Sequence, residues 1–333
     1  MDLIKPATIA PLVGPSQAER DRLMALPREE SAHAAALASL ECLNFVEAPV
    51  GPSAAPLSFP LTIAAWNLER CYFVEASAEL IRRQGAQIAL VTEVDNGMAR
   101  TGQRHTTAYL AANLGMSYAY GVEFLELELG NAPEIAYAKD GFNQQGFHGN
   151  GLMVRGALAA PVLIRLDRHG HWFRSESKAH RIGTRCAVAG AVMTAQGPLY
   201  LVSVHLENLG DAEYRRNQIE TLLDAVDLLA GGLPVVIGGD LNTGLADEGD
   251  FEKETLFGYA AGRGYQRHGG PLDQMSTRQS LFHERPVRQY KLDWFLTRGV
   301  DVAESRIVPA VGDDGTPLSD HEMIVATIVG LGG

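Results

Sequence analysis

The chain has 333 residues, of which 46% are hydrophobic and 20% are charged, and its formal net charge at pH 7 is −12. This composition excludes long disordered tracts and allows one large globular domain or two smaller ones. The acidic balance disfavours a duplex nucleic acid as partner, because binding one needs a basic surface, although a local basic groove is compatible with an acidic chain.

The cysteines and the apolar runs indicate in which compartment the protein is expected. Cys42, Cys71 and Cys186 are widely spaced and form no C-x-x-C pair, which predicts neither a disulfide framework nor a zinc site. The first apolar stretch, residues 9–13, is short and contains proline, so a secretory signal is not expected. No run of about 18 apolar residues occurs, so no transmembrane helix is expected. The sequence therefore predicts a soluble cytoplasmic protein.

Residues 1–58 differ from the rest of the chain in composition and in the pattern of their apolar residues. A helical pattern over residues 17–40 follows a proline-containing lead, and residues 48–56 are rich in Pro, Gly, Ser and Ala. These features predict an N-terminal helical arm with a linker, packed on a main domain that comprises residues 59–333.

From Leu61 onward, short apolar runs alternate with helical patterns. Helices are predicted at 73–83, 107–114 and 211–229, and residues 131–149 are predicted to be a polar connection that borders a site. Residues 123–128 predict a strand with a solvated glutamate face. Together these patterns predict one α/β domain with more than one sheet layer. The predicted strands are 61–66, 88–92, 117–127, 186–194, 199–206, 234–238, 292–296, 305–311 and 323–329.

Polar residues stand at the ends of six of these strands. Taken singly, an Asp or Asn at such a position is usually a turn or cap residue. Their recurrence at six strand ends favours a shared site, because strand ends on a rigid scaffold present side chains to a ligand. The segments are Trp66-Asn-Leu-Glu69, Thr92-Glu93, His205-Leu-Glu-Asn208, Gly238-Gly-Asp-Leu-Asn242, Leu292-Asp-Trp-Phe295 and Ser319-Asp-His321.

These residue types are the ones that a phosphoester hydrolase needs. Glu93 and Asp320 offer the hard oxygen ligands that Mg²⁺ or Mn²⁺ prefers. Asp240, with Asn242 beside it, could position and deprotonate a water. Donors for the phosphoryl oxygens could come from His205, His321, Asn67 and Arg185.

In their order and approximate spacing, the six segments resemble the motifs of the endonuclease/exonuclease/phosphatase superfamily. The resemblance covers about residues 61–329 and leaves the arm outside. It implies a four-layer α/β sandwich, in which two mixed β-sheets pack face to face and are flanked by helices. The histidine at position 205 resembles the residue that the deoxyribonuclease and neutral sphingomyelinase branches have in this motif, whereas abasic-site enzymes carry an asparagine there.

The resemblance also implies a role for each residue. Glu93 would be the principal metal ligand, with Asn67, Glu69 and Asp320 as further ligands. Asp240 would orient or activate the water, and Asp293 would fix the tautomer of His321. Residues that would act on the phosphate or substrate are His205, Asn242, Asn67, Arg185, His148 and Asn150.

The resulting prediction is a Mg²⁺- or Mn²⁺-dependent hydrolase that cleaves a phosphoester, foremost a phosphodiester, by in-line attack of an activated water. The substrate would be a small molecule or a lipid headgroup. No covalent intermediate is expected, because the sequence has no nucleophile elbow or catalytic cysteine motif. Two alternatives stay open: a nuclease acting on DNA or RNA, and a non-catalytic relative that binds a phosphate ligand. Substrate choice resides in loops that the motifs do not specify.

Overall fold

The structure is a computed structural model that describes residues 3–51, 55–167, 180–283 and 286–332. The predicted linker at 48–56 lies partly outside these ranges. Among the described residues, the strands in chain order are β1 (Ile4–Lys5), β2 (Thr8–Ile9), β3 (Val46–Glu47), β4 (Leu61–Arg70), β5 (Ile88–Asn96), β6 (Ser117–Glu126), β7 (Phe147–Val154), β8 (Leu158–Arg165), β9 (Arg181–Gly183), β10 (Cys186–Thr194), β11 (Gly197–His205), β12 (Val235–Asp240), β13 (Gln266–His268), β14 (Asp293–Arg298), β15 (Val300–Val308) and β16 (Met323–Leu331).

The helices flank these strands. The longest one begins after Asp211, whose side chain accepts a hydrogen bond from the backbone N–H of Tyr214 and caps the helix. None of the described helices is both long and apolar enough to span a membrane. The described helices are α1 (Gln17–Met24), α2 (Glu30–Ser39), α3 (Val74–Arg83), α4 (Thr106–Leu114), α5 (Ala132–Tyr137), α6 (Ala212–Ala230) and α7 (Thr255–Gly262).

The strands form two mixed sheets. Within the described ranges, one sheet has seven strands in the order β1-β8-β10-β11-β12-β14-β13. The other has nine, in the order β15-β16-β4-β5-β7-β6-β3-β2, with β9 paired to β6. The two sheets pack on each other and helices cover their outer faces, which confirms the predicted α/β sandwich.

Three hydrophobic clusters separate the four layers. Leu90, Leu152 and Leu201 belong to the cluster between the two sheets. A second cluster joins the seven-stranded sheet to α6 and α7, and a third joins the nine-stranded sheet to α2, α3 and α4. Because the central strands are buried on both faces, they are continuous apolar runs, which is why the sequence located them.

The N-terminal segment contributes strands to both sheets. β1 pairs with β8 at the edge of the seven-stranded sheet, whereas β2 and β3 extend the nine-stranded sheet beyond β6. Arg165, which is only 1% exposed, donates to the carbonyl of Leu43 (3.2 and 2.5 Å) and to those of Val122 (2.8 Å), Thr184 (2.9 Å) and Glu123 (3.4 Å). One buried guanidinium thus joins the N-terminal segment to the body of the domain.

Two predicted features were wrong. The connection at 131–149 contains helix α5 and the beginning of β7, so His148 lies within a strand and not in a connection. Glu123 and Glu126 are buried and not solvated, because they form ion pairs with Arg185 and Arg100. The glutamates are buried by long-range ion pairs that no local pattern reveals, whereas α5 begins with a local capping box between Asn131 and Glu134.

Candidate active site

The predicted site residues meet because neighbouring strands end together. β11 and β12 are parallel and place His205 opposite Asp240, and antiparallel β14 places Asp293 on the other side of Asp240. In the facing sheet, β4 and β5 run parallel and carry Asn67 and Glu93 near their ends. Both sheets therefore deliver polar side chains to one edge of the sandwich.

Strained backbone is concentrated at the same edge. Glu69, Arg70 and Cys71 are consecutive residues with φ of 44°, 70° and 61°, and Glu93 and Asn242 each have φ of 52°. A non-glycine residue in this left-handed region costs roughly 1–2 kcal/mol. The pairing of β4 with β5 shifts register between Asn67 and Arg70, which allows these side chains to turn toward the site.

Asp240 lies at the centre of the polar cluster. Its Oδ2 accepts a hydrogen bond from the side-chain amide of Asn67 (3.0 Å), and its Oδ1 accepts one from the backbone N–H of Asn242 (2.9 Å). The Nε2 atoms of His205 and His321 lie 3.5 and 3.6 Å from Oδ2. The buried carboxylate is therefore held in one orientation by groups from several segments.

Asp293 and His321 form a buried pair. Nδ1 of His321 lies 2.8 Å from Oδ2 of Asp293, and the hydroxyl of Ser276 donates to the same oxygen (2.7 Å). Burial raises the pKa of Asp293 to about 6. Burial alone would lower the pKa of His321, but the carboxylates of Asp293 and Asp240 outweigh it and raise that pKa well above its ordinary value. The raised pKa of His321 favours its protonated form, in which the Nε2 side of the ring faces Asp240.

Hydrogen bonds to the backbone position His321. Its carbonyl accepts from the indole of Trp66 (2.8 Å), and its N–H donates to the hydroxyl of Ser319 (3.0 Å). The Ser319 hydroxyl in turn donates to the carbonyl of Asn67 (2.7 Å). The loop before β16 is thereby tied to the end of β4, which carries Asn67 and Glu69.

Glu69, Glu93 and Asp320 form an acidic group beside Asp240. Burial and the neighbouring Asp320 carboxylate raise the pKa of Glu69 to about 8, and burial also raises the pKa of Asp320. Burial alone would raise the pKa of Glu93, but the Arg70 guanidinium in contact with it holds that pKa well below its ordinary value. Carboxylates crowded in this way repel one another, and a cation bound among them would relieve the repulsion.

The predicted metal ligands fit a hard divalent cation. Glu69, Glu93 and Asp320 offer carboxylate oxygens, which Mg²⁺ and Mn²⁺ prefer. Both polar side-chain atoms of Asn67 already make hydrogen bonds: Nδ2 donates to Asp240, and Oδ1 accepts from the N–H of Glu69 (3.1 Å). Oδ1 has a second lone pair, which is available to bind a cation.

A different group, Asp240, Asp293 and His321, offers ligand atoms within 4.8 Å of one another. The hydrogen bond between Asp293 and His321 accounts for this grouping without a cation. The acidic group of Glu69, Glu93 and Asp320 differs in offering only carboxylate oxygens, the ligand type that a hard cation prefers.

Arg185 and His205 lie together on the other side of Asp240. Nη1 of Arg185 is 3.0 Å from Nδ1 of His205, and the guanidinium also contacts the carboxylates of Glu123 and Glu207. Its Nη2 donates to the side chain of Asn208 (3.1 Å). The acidic partners fix the guanidinium in place, which suits a preorganised donor for a phosphate oxygen.

His148 and Asn150 have different environments although they are two residues apart. His148 lies 3.0 Å from Oδ1 of Asp95 and lines the same cavity as Glu93. Asn150 is completely buried, and its amide donates to the carbonyl of Cys186 (2.8 Å). Among the described residues, the cavity walls include His148 but not Asn150, so the structure brings only the former to the site.

Three cavities meet at the acidic group. One of about 280 Å³ is lined by Glu93, Asp240, Asn242, Asp320 and His321, among others. One of about 400 Å³ adjoins it on the side of Arg185, and one of about 270 Å³ on the side of Glu69. The site is therefore open enough for a substrate with groups on both sides of a central phosphate.

Some residues of the site are not predicted by the sequence motifs. Ser276 binds Asp293 from a loop, and Arg70 contacts Glu93 although it directly follows a recognised motif. The ion pairs of Arg100 with Glu126 and Glu134 are also long-range, since they join residues 26 and 34 positions apart. Only the position of Arg70 beside Glu69 gave a local signal that could have been used.

The model of the endonuclease/exonuclease/phosphatase family matches residues 64–321, which is more than half of the chain. The protein therefore belongs to this family, whose members are generally metal-dependent phosphoester hydrolases. The comparison with curated proteins gave no match.

Solved structures share the fold. An endonuclease/exonuclease/phosphatase protein from Beutenbergia cavernae has 18% identity and a TM-score of 0.60, with 82% of this chain and 72% of that chain covered. The human nocturnin catalytic domain with bound sulfate has 16% identity and a TM-score of 0.54, with coverages of 83% and 96%. A humanized D. rerio TDP2 has 15% identity and a TM-score of 0.52, with coverages of 80% and 98%. At these identities the similarity establishes the fold.

Proposed function

We propose that this protein hydrolyses a phosphodiester of a small molecule or lipid headgroup by in-line attack of a water that Asp240 activates. The observation that carries the proposal is the environment of Asp240. Asn67 and Asn242 fix its carboxylate, two imidazoles lie within 3.6 Å of Oδ2, and an acidic group lies beside it. A general base needs such a fixed orientation next to the place where the phosphorus would be held.

The histidine and arginine donors would stabilise the phosphoryl oxygens. His321, oriented and kept protonated by Asp293, would donate through Nε2. Arg185 and His205, fixed by Glu123 and Glu207, would donate from the other side. Preorganised donors of this kind stabilise the charge that develops in the transition state. Asn242 and His148 would bind further substrate oxygens.

Glu69, Glu93 and Asp320, with Oδ1 of Asn67, would hold Mg²⁺ or Mn²⁺. When bound there, the cation would polarise a phosphoryl oxygen and offset negative charge on the phosphate. The chain's own contribution is to assemble these oxygen ligands on strand ends whose backbone is already strained into place.

A diester suits this site better than a monoester. The cleft contains the carboxylates of Asp240, Asp293, Glu69, Glu93 and Asp320. A phosphodiester carries one negative charge, whereas a monoester carries nearly two at neutral pH, so the diester is repelled less. Cavities on both sides of the acidic group also leave room for two ester substituents.

The test is hydrolysis of a substrate panel with Mg²⁺ or Mn²⁺, with and without chelator. The panel contains bis-p-nitrophenyl phosphate, p-nitrophenyl phosphate, sphingomyelin, plasmid DNA and a short RNA. Asp240→Asn removes the base at almost constant shape. The matched control is Asp313→Asn, which removes an exposed carboxylate that is paired with Arg83 and lies outside the site.

We expect metal-dependent turnover of the diester that Asp240→Asn abolishes and Asp313→Asn leaves unchanged. Turnover that is confined to DNA or RNA would replace the small-molecule proposal with a nuclease. Phosphate binding with no turnover of any panel member would refute hydrolysis and support the non-catalytic alternative.

A further inference from the structure

Arg70 contacts a residue that is proposed to bind the cation. Its Nη1 donates to Oε2 of Glu93, while its Nε donates to Oε1 of Glu134 (2.9 Å). Its backbone is left-handed, in a run with Glu69 and Cys71. Three strained residues in succession indicate that the fold holds this guanidinium against Glu93 at an energetic cost.

The contact with Glu134 is an anchor that does not depend on Glu93. Glu134 belongs to a capping box with Asn131 at the beginning of α5, in which each residue binds the backbone N–H of the other. Arg100, which is fully buried, also donates to Glu134 (3.0 Å). If Glu93 turned to another partner, Nε of Arg70 would keep its place.

We infer that Arg70 competes with the divalent cation for Glu93, and that its Nη edge binds an anionic group of the substrate once the cation holds Glu93. The inference rests on the proposed role of Glu93 as a metal ligand. One carboxylate oxygen cannot accept a close guanidinium hydrogen bond and bind a cation in the same direction, and the two positive charges repel each other.

The surroundings of Arg70 indicate where its Nη atoms could bind an anion once they no longer contact Glu93. Arg70 lines the cavity of about 400 Å³, whose wall also contains Arg181 and Arg185. Guanidinium groups offer planar pairs of donors that match phosphate oxygens. A phosphate beside Glu93 would therefore meet the Nη edge of Arg70 on one side and Arg185 on the other.

The consequence is coupling between cation and anion. A cation that binds Glu93 leaves the Nη donors of Arg70 available to the phosphate. A phosphate that accepts from those donors leaves Glu93 available to the cation. By linkage, each ligand raises the affinity of the other by the same factor. Without the anion, Arg70 lowers the affinity of the site for the cation.

The test is calorimetric titration of metal-free protein with Mn²⁺ and, separately, with inorganic phosphate in the presence of Mn²⁺. The variants are Arg70→Gln, Arg70→Lys, Glu93→Gln and the control Arg181→Gln, which removes a guanidinium from the same cavity. Thermal unfolding of each variant checks that it is folded. Because Lys has one compact donor group, Arg70→Lys keeps the charge but loses the planar fork.

We expect Arg70→Gln to bind Mn²⁺ about tenfold more tightly and phosphate about tenfold more weakly than the parent protein. Arg181→Gln should leave Mn²⁺ affinity within about twofold. Arg70→Lys should shift both affinities in the same directions by smaller factors, which provides a second test if Arg70→Gln does not fold.

Two results would overturn the inference and can be told apart. If Glu93→Gln weakens Mn²⁺ binding while neither Arg70 variant tightens it, Arg70 does not compete for Glu93, and the metal-site proposal survives. If Glu93→Gln leaves Mn²⁺ affinity unchanged, Glu93 is not a ligand and both proposals fail.

Discussion

Replacing Arg165 with methionine tests whether a single buried guanidinium holds the N-terminal segment in place. Arg165 makes five hydrogen bonds to four backbone carbonyls, one of them that of Leu43. A hydrogen bond from a charged donor contributes about 1.5–3 kcal/mol, and desolvation of the guanidinium offsets part of the sum. Methionine replaces the apolar stem of the side chain but is shorter than arginine and has no donor, so it would leave four carbonyls without this partner. We expect the free energy of unfolding to fall by about 3–5 kcal/mol.

Urea unfolding, followed by the fluorescence of the buried Trp66 and Trp294, measures this loss. The matched control is Arg155→Met, because the Arg155 side chain is exposed; its expected change is within about 0.5 kcal/mol. Limited proteolysis should also cleave the Arg165→Met protein earlier within its first 45 residues or so, since Leu43 loses its partner. A loss below about 1 kcal/mol with unchanged proteolysis would contradict the reasoning.

Three further predictions concern the site and the pH dependence of stability. Asp293→Asn should lower phosphodiesterase turnover by about 10²–10⁴-fold with Mn²⁺ affinity nearly unchanged, because His321 loses the carboxylate that orients its ring and raises its pKa; equal loss of metal binding would contradict this role. Ser276→Ala should lower turnover by about tenfold, since its hydroxyl accepts the N–H of Asp293 (3.0 Å) and donates to its carboxylate; unchanged turnover would exclude a positioning role. Burial raises the pKa of Asp167 to about 7, above its unfolded value of about 3.9, so its stabilising contribution is complete below that value and is lost as the pH rises through 7. Between pH 5 and pH 8 the parent protein should therefore lose about 2–3 kcal/mol relative to Asp167→Asn in urea unfolding, and parallel pH profiles would refute the assignment.

Much of the fold was predictable because the central strands are buried on both faces. The strands that carry Asn67, Glu93, His205 and Asp240 are apolar runs bounded by polar motifs, and the structure contains each of them. The two-residue strands of the N-terminal segment are too short to show any periodicity, so they could not be predicted.

The candidate site was predictable in membership more than in contacts. Motif order located Asp240 and His321 at strand ends, and the structure brings them within 3.6 Å of each other. The contacts of Arg70 and of Arg100 could not be predicted from the sequence, because an ion pair between distant residues produces no periodic pattern of residue types. The burial of Asn150 is also a tertiary effect, because a strand residue faces the core or the site according to register.

The shortness of three edge strands has a consequence for colloidal behaviour. Among the described strands at sheet edges, β1, β2 and β13 are only two or three residues long, whereas β15 has nine residues. A long open edge would invite the strands of another molecule to add on, whereas such short strands offer few free backbone groups. A shortened chain that began near Leu61 would uncover β8 and β6, which are eight and ten residues long. We expect it to precipitate at concentrations at which the intact chain stays in solution.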